Sequence, residues 1–188
     1  MIKSCKTIIA LAGLLVGASG ANAKANCDNN SLQGEYAFKA QGAILGLVDS
    51  SGALHPFASP QPLNAVGQFM FDGNGSFTRV DFAVSNGTPQ INASTPLTDN
   101  GFRTGQTGTY RVAEDCTGTM VVNVPGGTVL DLALALVDQG QAVFAVISHE
   151  SVPGLPPSIV PAGTSCTSGC DVGPSVSVEL TRGLSRRR

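Results

Sequence analysis

Residues 68–80, QFMFDGNGSFTRV, contain the clearest fold signal in the sequence. The turn Asp72-Gly73-Asn74-Gly75 separates two short segments rich in apolar residues. Gly, Asn and Asp tolerate the positive φ angles of tight turns, so Asp-Gly and Asn-Gly pairs between such segments are strong hairpin signals. This stretch therefore predicts two antiparallel strands joined by a short turn.

The same pattern continues on both sides of this hairpin. From Gly34 onward, short apolar runs are bounded by Gly, Asn, Asp and Pro, and their period is nearer two than 3.6. Residues 128–138 are ambiguous because Leu and Ala also favour helices, but the leucines recur at every second position, which favours a strand. The sequence predicts about eight strands, at residues 34–47, 63–72, 76–85, 105–113, 117–124, 128–138, 141–149 and 175–182.

The predicted fold class is all-β, an antiparallel meander of about eight strands that closes as a small barrel. Consecutive strands joined by short turns usually pair with each other. Closure also removes the exposed edges of the sheet. The alternative arrangement is a β-sandwich. Three longer stretches are expected as loops at the rim of the barrel, namely residues 51–62 with His55, 85–104 and 151–174.

Residues 1–23 have the three parts of a secretory signal peptide. Lys3 and Lys6 precede an apolar run, and small residues follow up to Ala23. We expect cleavage near Ala23, with a second acceptable site two residues later, and hence an exported protein that is periplasmic or extracellular. The apolar run is too short to span a bilayer, so no membrane span is expected.

The remainder of the chain is predicted to form one barrel domain. It covers residues 24–183, with a loop rich in Pro, Gly, Ser and Cys at 151–174, and a basic tail follows at 184–188. The whole chain carries a formal net charge of -2, and only 13% of its residues are charged. This balance lacks the basic field that neutralises phosphates, which argues against nucleic acid as a partner.

The cysteines predict two disulfides. Four of them lie after the expected cleavage site, and an even number is typical of exported proteins that meet an oxidising environment. Cys166 and Cys170 lie close together in a flexible stretch and are expected to pair, which leaves Cys27 with Cys116. The alternative is a zinc site, but the other two cysteines are isolated and only two histidines could supply nitrogen ligands.

No sequence motif predicts catalysis, a metal or a cofactor. Neither the nucleophile motif G-x-S-x-G nor the phosphate-binding motif G-x4-G-K-[ST] occurs. His55 precedes a proline in an expected loop, and His149 closes an apolar strand, so the two histidines lie in different contexts. We therefore predict no catalytic, cofactor-binding or metal-binding residue.

Several short motifs resemble a group of small exported bacterial β-proteins whose function is generally unassigned. These proteins look like the calycin type of small barrel, including the allene oxide cyclase-like barrels. The likeness covers most of residues 27–149, but its motifs are turns and strand starts, so it implies an architecture and carries over no catalytic residue. The motifs are Cys27, Leu32-Gln33-Gly34-Glu35-Tyr36-Ala37-Phe38, Phe71-Asp72-Gly73-Asn74-Gly75, Gly108-Thr109-Tyr110-Arg111-Val112 and Asp115-Cys116-Thr117-Gly118-Thr119.

The leading functional hypothesis is a binding protein, an exported eight-stranded barrel whose interior is either packed or holds one small apolar molecule, with the long loops forming its mouth. If the leucines of residues 130–136 face outward, Asp131, Ala133 and Ala135 line the interior and are the candidate ligand-lining residues. In the opposite orientation the leucines face inward and Asp131 faces solvent.

Two other hypotheses come from different functional classes. The chain could be an envelope or extracellular interaction module that displays the loops at 85–104 and 151–174 to an envelope component. The third hypothesis is an isomerase of the cyclase-like barrel type. The position of apolar surface separates the first two, because a ligand-binding protein concentrates it in a pocket and an interaction module exposes it.

Overall fold

Nine antiparallel strands form the computed structural model, which describes residues 26–91 and 95–183. Eight of them pair in chain order, and the last of these pairs with the first to close a ring, while the two-residue strand Thr88–Pro89 is added at one edge. The predicted barrel is therefore confirmed, and the sandwich is not formed. The strands are β1 (Gln33–Val48), β2 (Leu54–Asp72), β3 (Ser76–Ser85), β4 (Thr88–Pro89), β5 (Arg103–Val112), β6 (Thr117–Val124), β7 (Thr128–Val137), β8 (Ala142–Val152) and β9 (Cys170–Arg182).

All eight predicted strands are present, but β2, β8 and β9 each extend at least three residues beyond the expected bounds. β2 begins at Leu54, so the rim loop predicted at 51–62 is wrong for most of its length. The prolines in this stretch suggested a loop because proline cannot donate to a strand ladder. Within residues 54–62, positions 54–56, 61 and 62 pair with β1, and none pairs with β3, since the pairing of β2 with β3 begins at Leu63. Proline is tolerated on such an unpaired edge.

The loop predicted at 151–174 is also shorter in the structure. β8 continues to Val152 and β9 begins at Cys170, which leaves residues 153–169 as the connection. The stretch 85–104 contains β4, and β5 begins at Arg103. The predicted signal peptide, its cleavage site and the basic tail at 184–188 lie outside the described residues.

Both predicted disulfide pairings are confirmed. Cys27 and Cys116 join the segment before β1 to the turn between β5 and β6, with their Cα atoms 5.0 Å apart. Cys166 and Cys170 join the end of the 153–169 loop to the start of β9, with their Cα atoms 5.4 Å apart. Two disulfides are typical of an oxidising, exported environment. In the described part of the chain, the structure has no helix of the length and apolar character needed to cross a membrane.

Aromatic side chains fill the half of the barrel next to the Cys27–Cys116 disulfide. Phe71 lies at their centre, with its ring 5.1 Å to 5.5 Å from four neighbouring rings. The Tyr36 hydroxyl donates to the carbonyl of Gly140 at 2.5 Å, and the Tyr110 hydroxyl donates to the carbonyl of Leu32 at 2.8 Å. We call this region the closed half of the barrel.

Candidate functional site

Strand β7 turns its leucines into the barrel. Leu132, Leu134 and Leu136 are buried, whereas Ala133 and Ala135 are exposed. Asp131 is half-exposed and lies 3.2 Å from His149 on the outer wall. The predicted lining by these two alanines and Asp131 is therefore wrong, and the alternative orientation is the observed one. Leucines that face inward bury more apolar surface than alanines would at the same positions. This orientation also keeps the carboxylate of Asp131 out of the interior, where an unpaired charge would be unfavourable.

Three alanines leave room in the other half of the barrel, which we call the open half. Ala40 on β1 lies opposite Ala65 on β2, and Ala65 lies opposite Ala83 on β3. All three are buried and face inward. They border a cavity of about 150 Å³, of which Phe38 and Phe69 form part of the wall. The other apolar lining residues are Leu63, Val122, Val124, Leu130, Leu132, Ile147, Val152 and Val178.

A buried charged cluster lies on one side of this cavity, centred on the fully buried Asp81. Arg79 donates to Asp81 Oδ2 at 2.5 Å, and Arg103 donates to both carboxylate oxygens at 2.7 Å. Gln106 Nε2 adds a fourth hydrogen bond at 2.8 Å. Burial alone would raise the pKa of Asp81, but Arg79 and Arg103 hold it below its usual range, so Asp81 stays ionised.

Arg79 brings a guanidinium into an apolar setting. It is 7% exposed, and its guanidinium carbon lies 4.7 Å from the ring centre of Phe38 and 5.5 Å from that of Phe69. Burial lowers the pKa of Arg79 to about 10, so the side chain remains a cation at neutral pH. Its Nε is buried without a hydrogen-bond partner among the described residues. Arg79 therefore has donor capacity that Asp81 does not use.

Glu150 reaches the cavity from the opposite wall because of a β-bulge in β8. Ile147 pairs with β7 and faces inward, but the register with β7 shifts between Ile147 and His149, so Ser148 is an extra residue. A bulge of this kind reverses the alternation of a strand. As a result His149 lies on the outer wall, and Glu150, which is 8% exposed, lies inside.

The environment of Glu150 favours its neutral form. Burial raises the pKa of Glu150 to about 7, although Arg79 and His149 partly oppose this shift. Its Oε2 atom is buried and has no hydrogen-bond partner within the described ranges. Near neutral pH Glu150 can therefore exchange a proton and offer either a donor or an acceptor to a molecule in the cavity.

The cavity adjoins two outer pockets beneath the loops of the open half. One, of about 330 Å³, shares Gln90, Arg103 and Thr128 with it. The other, of about 280 Å³, lies under the 153–169 loop and shares Glu150 with it. A ligand could therefore approach the charged cluster from two sides of the same barrel end.

Both histidines contact carboxylates on the outer surface instead of facing the cavity. His149 lies between Asp131 and Asp171, with a ring nitrogen 3.2 Å from each carboxylate. His55 Nε2 lies 2.8 Å from Asp49. The polar groups that converge on the cavity are thus Arg79 and Glu150 with their neighbours, none of which the sequence singled out as a site residue.

The alternation in β3 gave a weak signal for the charged cluster. Phe77, Arg79, Asp81 and Ala83 occupy one face, while Val80, Phe82 and Val84 occupy the other. Hydrophobicity alone favours the second set as the inner face. That set faces outward instead, and Phe82 is covered there by Phe102, with the ring centres 6.1 Å apart.

Comparisons of the chain with models of protein families, with curated proteins and with solved structures found no match.

Proposed function

We propose that this protein is an exported binding protein that holds one small, largely apolar molecule in the open half of its barrel. The observation that carries the proposal is the row of Ala40, Ala65 and Ala83, which leaves a cavity beside a buried charged cluster. Protein interiors are ordinarily close-packed, and an apolar cavity of about 150 Å³ accommodates a molecule such as benzene. The ligand class is thus a single ring or a short branched chain with one polar group.

The location and type of barrel belong to the same proposal. A signal peptide at residues 1–23, cleaved near Ala23, would deliver the chain to the periplasm or the outside of the cell. The eight-stranded ring with its ligand-sized interior is consistent with the calycin type of barrel.

Filling the cavity tests the proposal. We expect toluene to shift the methyl NMR signals of Leu130 and Ile147 in the wild-type protein. Ala65→Leu places three extra carbon atoms in the cavity and should weaken toluene binding at least tenfold. Ala133→Leu makes the same change on the exposed face of β7 and is the matched control. Equal toluene binding by Ala65→Leu and wild type would contradict the proposal.

An isomerase is the second candidate, and Glu150 favours it. A buried carboxyl with a pKa near 7 inside a cavity suits a general acid or base. The test starts from the ligand that is bound to the protein when it is purified from its own host organism. If Glu150 moves a proton to or from a carbon atom of this ligand, incubating ligand and protein in D₂O should place deuterium on that carbon. Glu150→Gln should abolish that exchange, and a ligand that gains no deuterium would eliminate this candidate.

The third candidate is the interaction module. Phe144 and Val146 on β8 are 55% and 52% exposed, and they lie opposite Ala135 and Ala133 on β7. A patch of four side chains is within the range found on ordinary protein surfaces. Ligand binding therefore remains the better supported proposal.

A further inference from the structure

The charges around the cavity do not balance when Glu150 is neutral. Asp81 is one carboxylate, whereas Arg79 and Arg103 are two guanidinium groups that both bind it. Each nitrogen of the Arg103 guanidinium has a partner, since Nε and one terminal nitrogen donate to Asp81 and the other terminal nitrogen donates to the carbonyl of Gln90 at 3.2 Å. The surplus positive charge therefore resides on Arg79, whose Nε is buried without a partner in the part of the chain that the structure describes.

A buried surplus charge is costly unless an opposite charge approaches it. Glu150 lines the same cavity as Arg79, yet no hydrogen bond joins the two side chains among the described contacts. The carboxylate of a ligand placed between them would accept from Arg79 and from the protonated carboxyl of Glu150. Both partnerless atoms would then be satisfied by one group.

This inference rests on the proposed function and names its ligand class. We propose that the cavity binds a small organic acid, whose carboxylate pairs with Arg79 while protonated Glu150 donates a hydrogen bond to it, so that binding weakens when Glu150 loses its proton. The size of the cavity limits the apolar body of the acid to about one aromatic ring.

Of the ionisable groups that line the cavity, Glu150 is the one whose charge changes around neutral pH. Asp81 is held ionised and Arg79 is held protonated across this range, and Arg103 is bound to Asp81. Asp131 on β7 and Asp171 on β9 lie on the outer wall with His149. The 153–169 loop carries no ionisable side chain apart from Cys166, which is in a disulfide.

The expected pH dependence follows from the proton on Glu150. At a pKa of about 7, Glu150 is largely protonated at pH 6 and largely ionised at pH 9. If only the protonated form binds the anion, affinity falls about tenfold per pH unit above the pKa, by up to about 100-fold between pH 6 and pH 9. Binding at pH 8 also takes up about one proton from solvent, which Glu150 receives.

The experiment compares benzoate with its neutral isostere benzamide by isothermal titration calorimetry at pH 6, 7.5 and 9. Benzoate is ionised throughout this range, so a change in its affinity reports on the protein. We expect wild type to prefer benzoate at pH 6 and to lose that preference at pH 9. Titration in buffers with different ionisation enthalpies should detect the proton taken up on binding.

Two variants identify the responsible group. Glu150→Gln keeps a hydrogen-bond donor and cannot ionise, so its benzoate affinity should be nearly constant from pH 6 to pH 9. Glu179→Gln is the matched control, because Glu179 is an exposed carboxylate on the outer wall that pairs with Lys39 at 3.0 Å. Its benzoate affinity should keep the wild-type pH dependence.

The outcomes separate the two proposals. Toluene or benzamide binding without benzoate binding would overturn the organic-acid assignment and leave the binding function in place. Benzoate affinity that is equal at pH 6 and pH 9, or that falls with pH equally in Glu150→Gln, would also overturn it. Failure of toluene, benzamide and benzoate alike to bind would reject the cavity as a binding site.

Discussion

The closed and open halves of the barrel use the same strands but are filled in opposite ways. In β1 and β3, Tyr36 and Phe77 contribute rings to the closed half, and Ala40 and Ala83 border the cavity of the open half. The large rings satisfy the packing that stabilises a small domain. The small side chains give up such packing and leave space beside buried charges. We infer that the first half supplies stability and the second half supplies binding.

The largest expected effect comes from removing a ring of the closed half. Phe71 is 2% exposed and contacts rings on every side, so Phe71→Ala should lower the free energy of unfolding by about 3–5 kcal/mol. Leu130→Ala in the open half removes a partly buried side chain that already borders a cavity, and should cost about 1–2 kcal/mol. Urea unfolding measures both values. Equal losses would contradict the division into a packed half and an open half.

The two disulfides should also differ in how much they stabilise the protein, with the disulfide of the closed half contributing more. Cys27–Cys116 spans 89 positions and fastens the closed half, whereas Cys166–Cys170 spans four. Replacing the first pair by serine should lower the free energy of unfolding by about 2–4 kcal/mol, and replacing the second pair by about 1 kcal/mol or less, because the longer bridge restricts the unfolded chain more. Thermal unfolding of the two double variants provides the test. A greater loss from the Cys166–Cys170 pair would contradict the argument from loop length.

A smaller effect is expected from the pH dependence of stability. The pKa of Glu150 is raised in the folded protein, from 4.5 to about 7, so the folded state binds more protons than the unfolded state between these values. The stabilising contribution is complete below about pH 4.5 and is lost as pH rises toward 7, with a total of up to about 3 kcal/mol. Urea unfolding of Glu150→Gln from pH 4.5 to pH 8 should lack this decline, and Glu179→Gln should retain it. If wild type and Glu150→Gln show the same dependence of unfolding free energy on pH, the ionised carboxyl of Glu150 is exposed to solvent in the folded protein.

Local turn chemistry explains how much of the fold could be predicted. The Asp72–Gly75 turn and the alternation around it need no information from distant residues, and Gly73 and Gly75 adopt φ values of +80° and +111°. The start of β2 was missed because the sequence does not reveal that residues 54–62 pair on one side only. Proline is compatible with that arrangement and incompatible with a central strand.

The site was missed because its residues depend on long-range register. Glu150 faces the cavity only because Ser148 forms a bulge, and strict alternation from Ile147 would have placed His149 inside. Arg79 and Asp81 share a face with Phe77, but the opposite face of β3 is more apolar and is covered by Phe102. The pair of Arg79 and Asp81 is stable in the interior because Arg103, from a different strand, adds a second ion pair to Asp81.

A crystal structure under xenon pressure would show whether the open half of the barrel is empty, because xenon binds to empty apolar cavities in protein interiors. We predict one xenon site in the open half, bordered by Ala40, Ala65 and Ala83, and none between the rings of the closed half. Addition of benzoate at pH 6 should displace that xenon. A barrel interior without xenon, with side chains packed across the row of alanines, would contradict the account.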